Sequence, residues 1–177
     1  MTSLTRIATE LDTLLRTSEI PDYPQAINGI QVETGAEIVK VAAAVDLRER
    51  TIHGAIDTGA NLLLVHHGLF WGGLQPLRGP YYRRIHSLLA SGVALYSSHL
   101  PLDAHPGIGN NTLLARALGL EPAAGFARYE TIDIGVRGEH RIATSELIAR
   151  TDAFASQWGG AARSSHAEPG RMTQRWE

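Results

Sequence analysis

Apolar residues recur along the chain at two spacings, which predict alternating helices and strands. Near the amino end they recur every three or four positions, which predicts an amphipathic helix within 1–16 whose apolar face is formed by Leu4, Ile7, Ala8, Leu11, Leu14 and Leu15. Three short apolar runs follow at 38–45, 61–65 and 93–97, and they are typical of buried strands. The segments between these runs repeat apolar residues at helical spacing, namely Ile52, Ala55 and Ile56, and then Ile85, Leu88 and Leu89.

The order of strand, helix, strand, helix, strand predicts an α/β fold with a mostly parallel or mixed sheet flanked by helices. Right-handed crossovers would bring the carboxyl ends of the three strands to one edge of that sheet. Polar residues stand at these ends: Asp46 after the first run, His66 and His67 after the second, and His99 after the third. Because ligands of open α/β sheets bind at this edge, the pattern predicts a functional site there. The stretch 20–31, with two prolines and a glycine, is predicted to be a loop.

Bulk composition narrows the class of protein. Of the 177 residues, 44% are hydrophobic and 19% are charged, which is typical of a chain with a buried core. The formal net charge of −2 provides no broad basic field for phosphates, so nucleic acid is not an expected partner. No apolar run reaches the roughly 20 residues of a membrane span, and Arg6, Glu10 and Asp12 interrupt the first apolar positions, unlike a secretory signal. We therefore expect a cytoplasmic protein that does not bind membranes.

The absence of cysteine leaves nitrogen and oxygen atoms as the ligands for any metal ion. Neutral imidazole binds zinc, iron, nickel or manganese, and a carboxylate adds the oxygen that lets a second ion share a site. His66 and His67 stand where a strand passes into a loop at Gly68, so the backbone can turn both rings towards one cavity. The alternative is that His66 is a hydrogen-bonded core residue and His67 a surface residue.

The segment 99–106 adds three more candidate ligands within one turn-rich loop. We predict that Asp103 is a metal ligand, because its carboxylate can coordinate or bridge ions. His99 is suited to polarise a bound substrate or water beside the metals, so it is the candidate catalytic residue. His105 precedes a proline and is predicted to be an exposed loop residue rather than a ligand.

Two motifs of this chain, V-H-H-G-L-F-W at 65–71 and H-L-P-L-D-A-H-P at 99–106, closely resemble one family. It is the NIF-three-like dinuclear-metal family, often labelled GTP cyclohydrolase I type 2 homologue. Further similar segments lie at 22–33 and 107–120, so the resemblance covers most of residues 1–122. Motifs of this length, in this order, are much more specific than a lone pair of histidines.

The resemblance implies a domain organisation and a ligand set. Residues 1–122 would form the metal-binding α/β domain, and 123–177 would begin a second half that looks truncated. Such proteins bind two divalent ions per subunit through two adjacent histidines, an aspartate, and a later histidine and glutamate. The first three positions are matched by His66, His67 and Asp103. The later pair has the form H-x-x-x-E, which 120–177 does not reproduce, and H-A-E at 166–168 lacks the helical spacing to replace it.

The same resemblance implies a function. It predicts a toroidal homo-hexamer and metal-assisted hydrolysis of a nucleotide-like substrate, with zinc, iron, manganese or nickel as the divalent ions and His99 as a candidate proton carrier. No Gly-rich phosphate loop is present, so the residues themselves do not indicate a nucleotide. Two hypotheses from other classes compete: a non-catalytic metal-binding or metal-responsive oligomeric protein, and a purely structural interaction module.

Overall fold

Two units make up the chain, Met1–Leu102 and Asp103–Glu177, and the computed structural model describes residues 2–165 and 168–177. The division at residue 122 that the motifs suggest stays a prediction, because it concerns the extent of the family's domains. In the described part of the chain, no helix is both long and apolar enough to cross a membrane.

The first unit is built on a four-stranded mixed sheet with helices packed on both faces. Its elements, in chain order, are α1 (Leu4–Leu15), β1 (Gly29–Val32), β2 (Val41–Asp46), α2 (Glu49–Asp57), β3 (Leu62–His67), α3 (Gly79–Ala90), β4 (Ala94–Ser97) and α4 (Leu100–Asp103), whose last residue begins the second unit. The strand order is β1-β4-β3-β2; strands β2, β3 and β4 are parallel, and β1 runs antiparallel to β4. The predicted α/β class is therefore confirmed.

Strand β1 corrects the prediction of a loop over 20–31. Gly29 pairs with Ser97, and Ile30 pairs with Tyr96, so the end of the predicted loop is a strand. Gly29 enters it with φ 104, a backbone conformation that glycine adopts readily. The loop prediction is wrong for these residues because their order comes from pairing with a distant strand, which local proline and glycine content does not reveal.

Apolar side chains cover both faces of β3 and β4, which explains why these strands appear in the sequence as continuous apolar runs. Strand β2 lies at the edge of the sheet and exposes Val41 and Val45, so its apolar run does not mean burial on both faces. One face packs against α2 and α3, and its buried residues include Ile52, Leu63, Leu88 and Leu95. The opposite face packs against α1, and its buried residues include Leu4, Ala8, Leu62 and Tyr96. Burying each large apolar side chain contributes about 1.5–3 kcal/mol, so this core fixes the strands and the positions of their carboxyl ends.

Helix α1 is tied to the sheet by a polar contact as well as by its apolar face. It begins where Ser3 Oγ accepts a hydrogen bond from the Arg6 N–H at 3.3 Å, and it ends before Arg16, which has φ 53. The hydroxyl of buried Tyr96, on β4, donates to Asp12 Oδ1 at 2.8 Å. Burial raises the pKa of Tyr96, which keeps this donor protonated.

The second unit is built on a three-stranded antiparallel sheet of order β5-β6-β7. Its elements after Asp103 are α5 (Asn110–Ala117), β5 (Ala124–Tyr129), β6 (Ile132–Ala143), α6 (Thr144–Ser156) and β7 (Met172–Trp176). The Thr144 hydroxyl bonds that of Thr173 at 3.0 Å, which joins the start of α6 to β7. None of the side chains of α6, all of which the structure describes, is buried.

Candidate metal centre

The carboxyl ends of the parallel strands carry the candidate residues, as the sequence predicts. His66 and His67 are the last two residues of β3, Asp46 is the last residue of β2, and His99 lies two positions after β4. Asp46 pairs with His67 in the strand register. Since β3 lies between β2 and β4, the sheet order brings the three strand ends together.

Three imidazole rings form a cluster at this edge. The ring centroids of His66 and His67 are 4.6 Å apart, those of His66 and His99 are 4.8 Å apart, and those of His67 and His99 are 5.5 Å apart. One ligand atom from each residue lies within 4.8 Å of the others, and all three residues are half-buried. The three rings therefore lie side by side at one edge of the sheet, and together they could hold a metal ion.

Every ring of the cluster uses its Nδ1 atom in a hydrogen bond to oxygen. The pairs are His66 with the Ser98 carbonyl at 3.0 Å, His67 with Asp46 Oδ1 at 2.8 Å, and His99 with Asp22 Oδ1 at 2.8 Å. Carbonyl and ionised carboxylate oxygens only accept hydrogen bonds, so each Nδ1 carries the hydrogen. A neutral ring in this tautomer has its lone pair on Nε2, the arrangement of metal-ligating histidines.

Asp46 orients the ring of His67. The hydrogen bond from His67 lowers the pKa of Asp46, and the Arg48 guanidinium, whose Nε lies 3.0 Å from Asp46 Oδ2, lowers it further. The carboxylate therefore stays ionised at neutral pH and accepts on both oxygens. One oxygen fixes the His67 tautomer while the other is neutralised by Arg48.

A buried carboxylate, Asp22, holds His99, and only 6% of its side chain is exposed. Its Oδ1 accepts from His99 Nδ1–H at 2.8 Å and from the Tyr23 N–H at 2.7 Å. Its Oδ2 accepts from the Asn28 amide and from the Leu100 N–H, each at 2.8 Å. The role of Asp22 could not be predicted from the sequence, because its partner His99 is 77 residues away and a lone aspartate in a proline-containing loop shows no pattern.

Aromatic side chains border the cluster. The Trp71 ring meets His99 edge to face with centroids 4.6 Å apart and lies 5.9 Å from His67. Tyr23 lies 6.2 Å from His99, whereas Phe70 packs against the hydrophobic core. Among the described residues the indole Nε1 of Trp71 is buried without a hydrogen-bond partner. Trp71, and not Phe70, is therefore the aromatic residue of this motif that faces the histidines.

Asp103, the carboxylate predicted as a metal ligand, is the first residue of the second unit. It ends α4, and its Oδ1 accepts a hydrogen bond from the Asn110 amide at 2.9 Å. Within the described residues, the group of close ligand atoms contains the three histidines, so it includes His99, for which the sequence suggested a catalytic role. The ligand role of Asp103 stays a prediction.

The other histidine of the 99–106 loop caps its own backbone. His105 Nδ1 accepts hydrogen bonds from the N–H groups of Gly107 and Ile108, at 3.0 and 3.1 Å. The Nδ1 lone pair of His105 is therefore used by its own loop backbone, and its exclusion from the ligands stays a prediction. Of the H-A-E segment, His166 and Ala167 lie outside the described residues.

Comparison with known proteins identifies related chains. The family model described as Duf34/NIF3 (NGG1p interacting factor 3) matches residues 2–168. A GTP cyclohydrolase 1 type 2 homolog from Deinococcus radiodurans is 43% identical over 124 residues, which are 70% of this chain and 46% of the relative. One from Archaeoglobus fulgidus is 41% identical over 143 residues, which are 81% of this chain and 58% of the relative. The chain thus spans about half the length of the curated relatives it matches.

Solved structures share the fold. The crystal structure of TTHA1606 from Thermus thermophilus has a TM-score of 0.78 and 34% identity, over 88% of this chain and 62% of that chain. The structural-genomics protein ybgI, described as of unknown function, has a TM-score of 0.85 and 30% identity, over 98% of this chain and 68% of its own. These similarities confirm the predicted fold.

Proposed function

Because the chain belongs to the Duf34/NIF3 family, we propose that it binds a divalent metal ion through His66, His67 and His99. One observation carries this proposal. The three imidazoles converge while every Nδ1 hydrogen is bonded to a protein oxygen, so each Nε2 presents a lone pair. Three protein ligands with a position left for water or substrate are the arrangement of catalytic zinc sites.

The ligand chemistry fits several divalent ions. Neutral imidazole suits zinc, iron, nickel and manganese, so all four stay in the proposal. Two of the three rings donate to carboxylates, Asp46 and Asp22, and such partners raise ligand basicity and fix ring orientation. The outer groups that a metal site needs are therefore present in the first unit.

We extend the proposal to metal-dependent hydrolysis of a nucleotide-like substrate, which the name of the relatives, GTP cyclohydrolase 1 type 2 homolog, supports. A bound divalent ion would supply Lewis acidity and an activated water for such a reaction. The chain's own contribution is the aromatic border of Trp71 and Tyr23, which narrows access to the histidines and offers flat apolar surface to a planar ring.

The Nε2 lone pair of His99 is assigned different roles by two hypotheses. In our proposal its Nε2 is the third ligand, whereas the sequence suggested a proton carrier beside the metals. The two hypotheses predict different zinc affinities for the His99→Ala variant. Loss of a ligand should weaken binding by more than the roughly 10–100-fold typical of a lost outer partner, whereas loss of a proton carrier should lower turnover alone.

The finer features of the family stay part of the proposal. We include a second ion, with Asp103 as one of its ligands, and a homo-oligomer, which the resemblance suggests is a hexamer. Both proposals rest on similarity to the family. A cytoplasmic location likewise stays a prediction.

Metal content per chain tests the proposal directly. We expect about one ion or more per chain when the protein is purified without chelator and measured by elemental mass spectrometry. The double variant His66→Ala, His67→Ala should lose it, because two of the three ligands are gone. His53→Ala is the matched control, since His53 is exposed on α2 and should leave the content unchanged. Equal, near-zero content in wild type and double variant after incubation with zinc, manganese, iron or nickel would refute the proposal.

Hydrolysis is tested separately from binding. Formate release from GTP by the metal-loaded chain would support the cyclohydrolase reaction. In that reaction one water opens the imidazole ring of the purine at the carbon between its two nitrogens, and a second water releases this carbon as formate. Bound metal without turnover of GTP or other nucleotides would instead support the alternative, a non-catalytic metal-binding protein.

A further inference from the structure

The loop over 22–31 is organised around the carboxylate of Asp22. Four N–H groups point at its two oxygens, and they come from the loop itself, from His99 and from the Leu100 backbone. A carboxylate has room for about four such bonds, so this one is filled. With 6% of the side chain exposed, water does not compete with them.

We propose that Asp22 is the positioning residue of the site, which fixes His99 in the Nδ1–H tautomer and so directs its Nε2 lone pair to the ion. This inference rests on the proposed metal-binding function, since it assigns a role towards that ion. An ionised carboxylate accepts hydrogen bonds and cannot donate them, unlike an amide or a hydroxyl group. It therefore leaves the neutral ring no choice of tautomer.

The backbone of His99 is held by the same loop as its ring. Asn28 donates its amide N–H to Asp22 Oδ2 at 2.8 Å and accepts the His99 backbone N–H on Oδ1, also at 2.8 Å. Asp22 and Asn28 together therefore fix His99 at two points. The loop acts on the orientation of the ring and not merely on the position of the chain.

The loop contains one residue whose backbone conformation is unfavourable for its side chain. Ile27 has φ 43, in the left-handed region that β-branched residues avoid. Gln31 stabilises this turn, because its Nε2 donates to the Ala26 and Ile27 carbonyls at 3.0 and 2.9 Å. Backbone strain of this kind persists where surrounding bonds over-determine it, and it collects at functional sites. Here the strained residue directly precedes Asn28, one of the two groups that hold His99.

Asp22→Asn is the informative substitution because it changes one acceptor into a donor at almost constant shape. If the new amide faces His99, the ring must accept on Nδ1 and carry its hydrogen on Nε2, which removes the lone pair from the ion. In that orientation the amide also meets one fixed donor, the Tyr23 N–H. If the amide faces the other way, it meets two donors, from Asn28 and Leu100, so this second orientation is the more disfavoured.

Nitrogen-15 NMR of the histidine rings in the metal-free protein, recorded at about pH 8 where an ordinary imidazole is neutral, reads the tautomer without any metal. We expect His99 to be Nδ1–H in wild type and to shift to Nε2–H in Asp22→Asn. Asn28→Ala is the matched control: it removes a neighbouring bond of the same loop but keeps the carboxylate on Nδ1, so the tautomer should not change. Calorimetric titration with zinc should then show about 10–100-fold weaker binding by Asp22→Asn than by Asn28→Ala.

The outcomes separate this inference from the proposed function. A wild-type His99 that is Nε2–H overturns the positioning role, and this measurement stands even if Asp22→Asn fails to fold. An unchanged tautomer and zinc affinity in folded Asp22→Asn, with zinc bound by wild type, also overturns it while the metal site survives. The expected tautomers without zinc binding by wild type would refute the metal site and leave Asp22 as the group that orients the ring.

Discussion

At the scale of single residues, Gln31 joins the two loops that border the histidines. Its Oε1 accepts from the Leu69 N–H at 2.7 Å, while its Nε2 donates to two carbonyls of the 22–31 loop. Gly68, the residue after the histidine pair, lies against the same carboxamide, and a Cβ atom there would overlap it. The glycine is needed for this close approach.

Gly68→Ala should therefore damage the site through Gln31. The added methyl group displaces the carboxamide, and loss of its partly exposed hydrogen bonds should lower the free energy of unfolding by about 0.5–1.5 kcal/mol. Zinc affinity should fall as well, because Leu69 and the preceding histidines shift. Thermal unfolding and zinc titration measure the two effects.

Gly54→Ala is the control for that substitution. Gly54 lies within α2 with nothing within 4 Å of the added Cβ, so alanine should raise stability by about 0.5–1 kcal/mol through helix propensity. If both variants were equally stable and bound zinc equally well, Gln31 would not hold the loops.

At the scale of elements, the hydrogen bond between Tyr96 and Asp12 joins α1 to β4 on the face of the sheet that α1 covers. Tyr96→Phe keeps the ring and removes the bond, which should lower the free energy of unfolding by about 1.5 kcal/mol at neutral pH, since the acceptor is a carboxylate. Chemical denaturation measures this difference.

The same residue predicts a dependence on alkaline pH. Because burial raises the pKa of Tyr96, the unfolded chain, with a tyrosine pKa of about 10, loses this proton first as pH rises. The contribution of Tyr96 is therefore complete below about pH 10 and is lost above it. Unfolding free energy should fall more steeply in wild type than in Tyr96→Phe above that pH. Tyr82→Phe, at an exposed position, should keep the wild-type slope, and three equal slopes would contradict the argument.

Elements could be predicted from sequence where burial left a periodic pattern. Strands β2, β3 and β4 and helices α2 and α3 have apolar residues in runs or at helical spacing, because each packs on the core. Strand β1 has four residues and takes its order from β4, so its own composition predicted a loop. Asp22 was missed for the same reason: its role is set by contacts with His99 and Leu100, and no local pattern records contacts at that distance.

At the scale of the whole molecule, burial differs between elements of the two units. Within the first unit, Leu62 and Leu63 of β3 are at most 1% exposed, whereas α6 of the second unit buries no side chain. Stability is not uniform in such a chain, because elements with few buried contacts open at lower free energy.

Hydrogen exchange should show this difference. We expect amides of α6 to exchange several orders of magnitude faster than those of β3, which open only with the core of the first unit. Exchange measured by mass spectrometry on peptides from both elements tests it. Equal protection would contradict this prediction, and light scattering of the same sample would show whether self-association covers α6.

The hydrogen bonds on Nδ1 decide what can approach the histidine cluster first. All three ring hydrogens are directed at protein oxygens, so the neutral rings show only lone pairs to an incoming group. The three rings offer no hydrogen-bond donor to a phosphate or carbonyl oxygen, and their Nε2 lone pairs repel the lone pairs of that oxygen. A bound cation would change this repulsion into attraction, because it would accept the Nε2 lone pairs and its positive charge would attract the oxygen. In the proposed metal site a cation would therefore bind before an anion, because three hydrogen bonds on the far side of the rings hold the ring hydrogens.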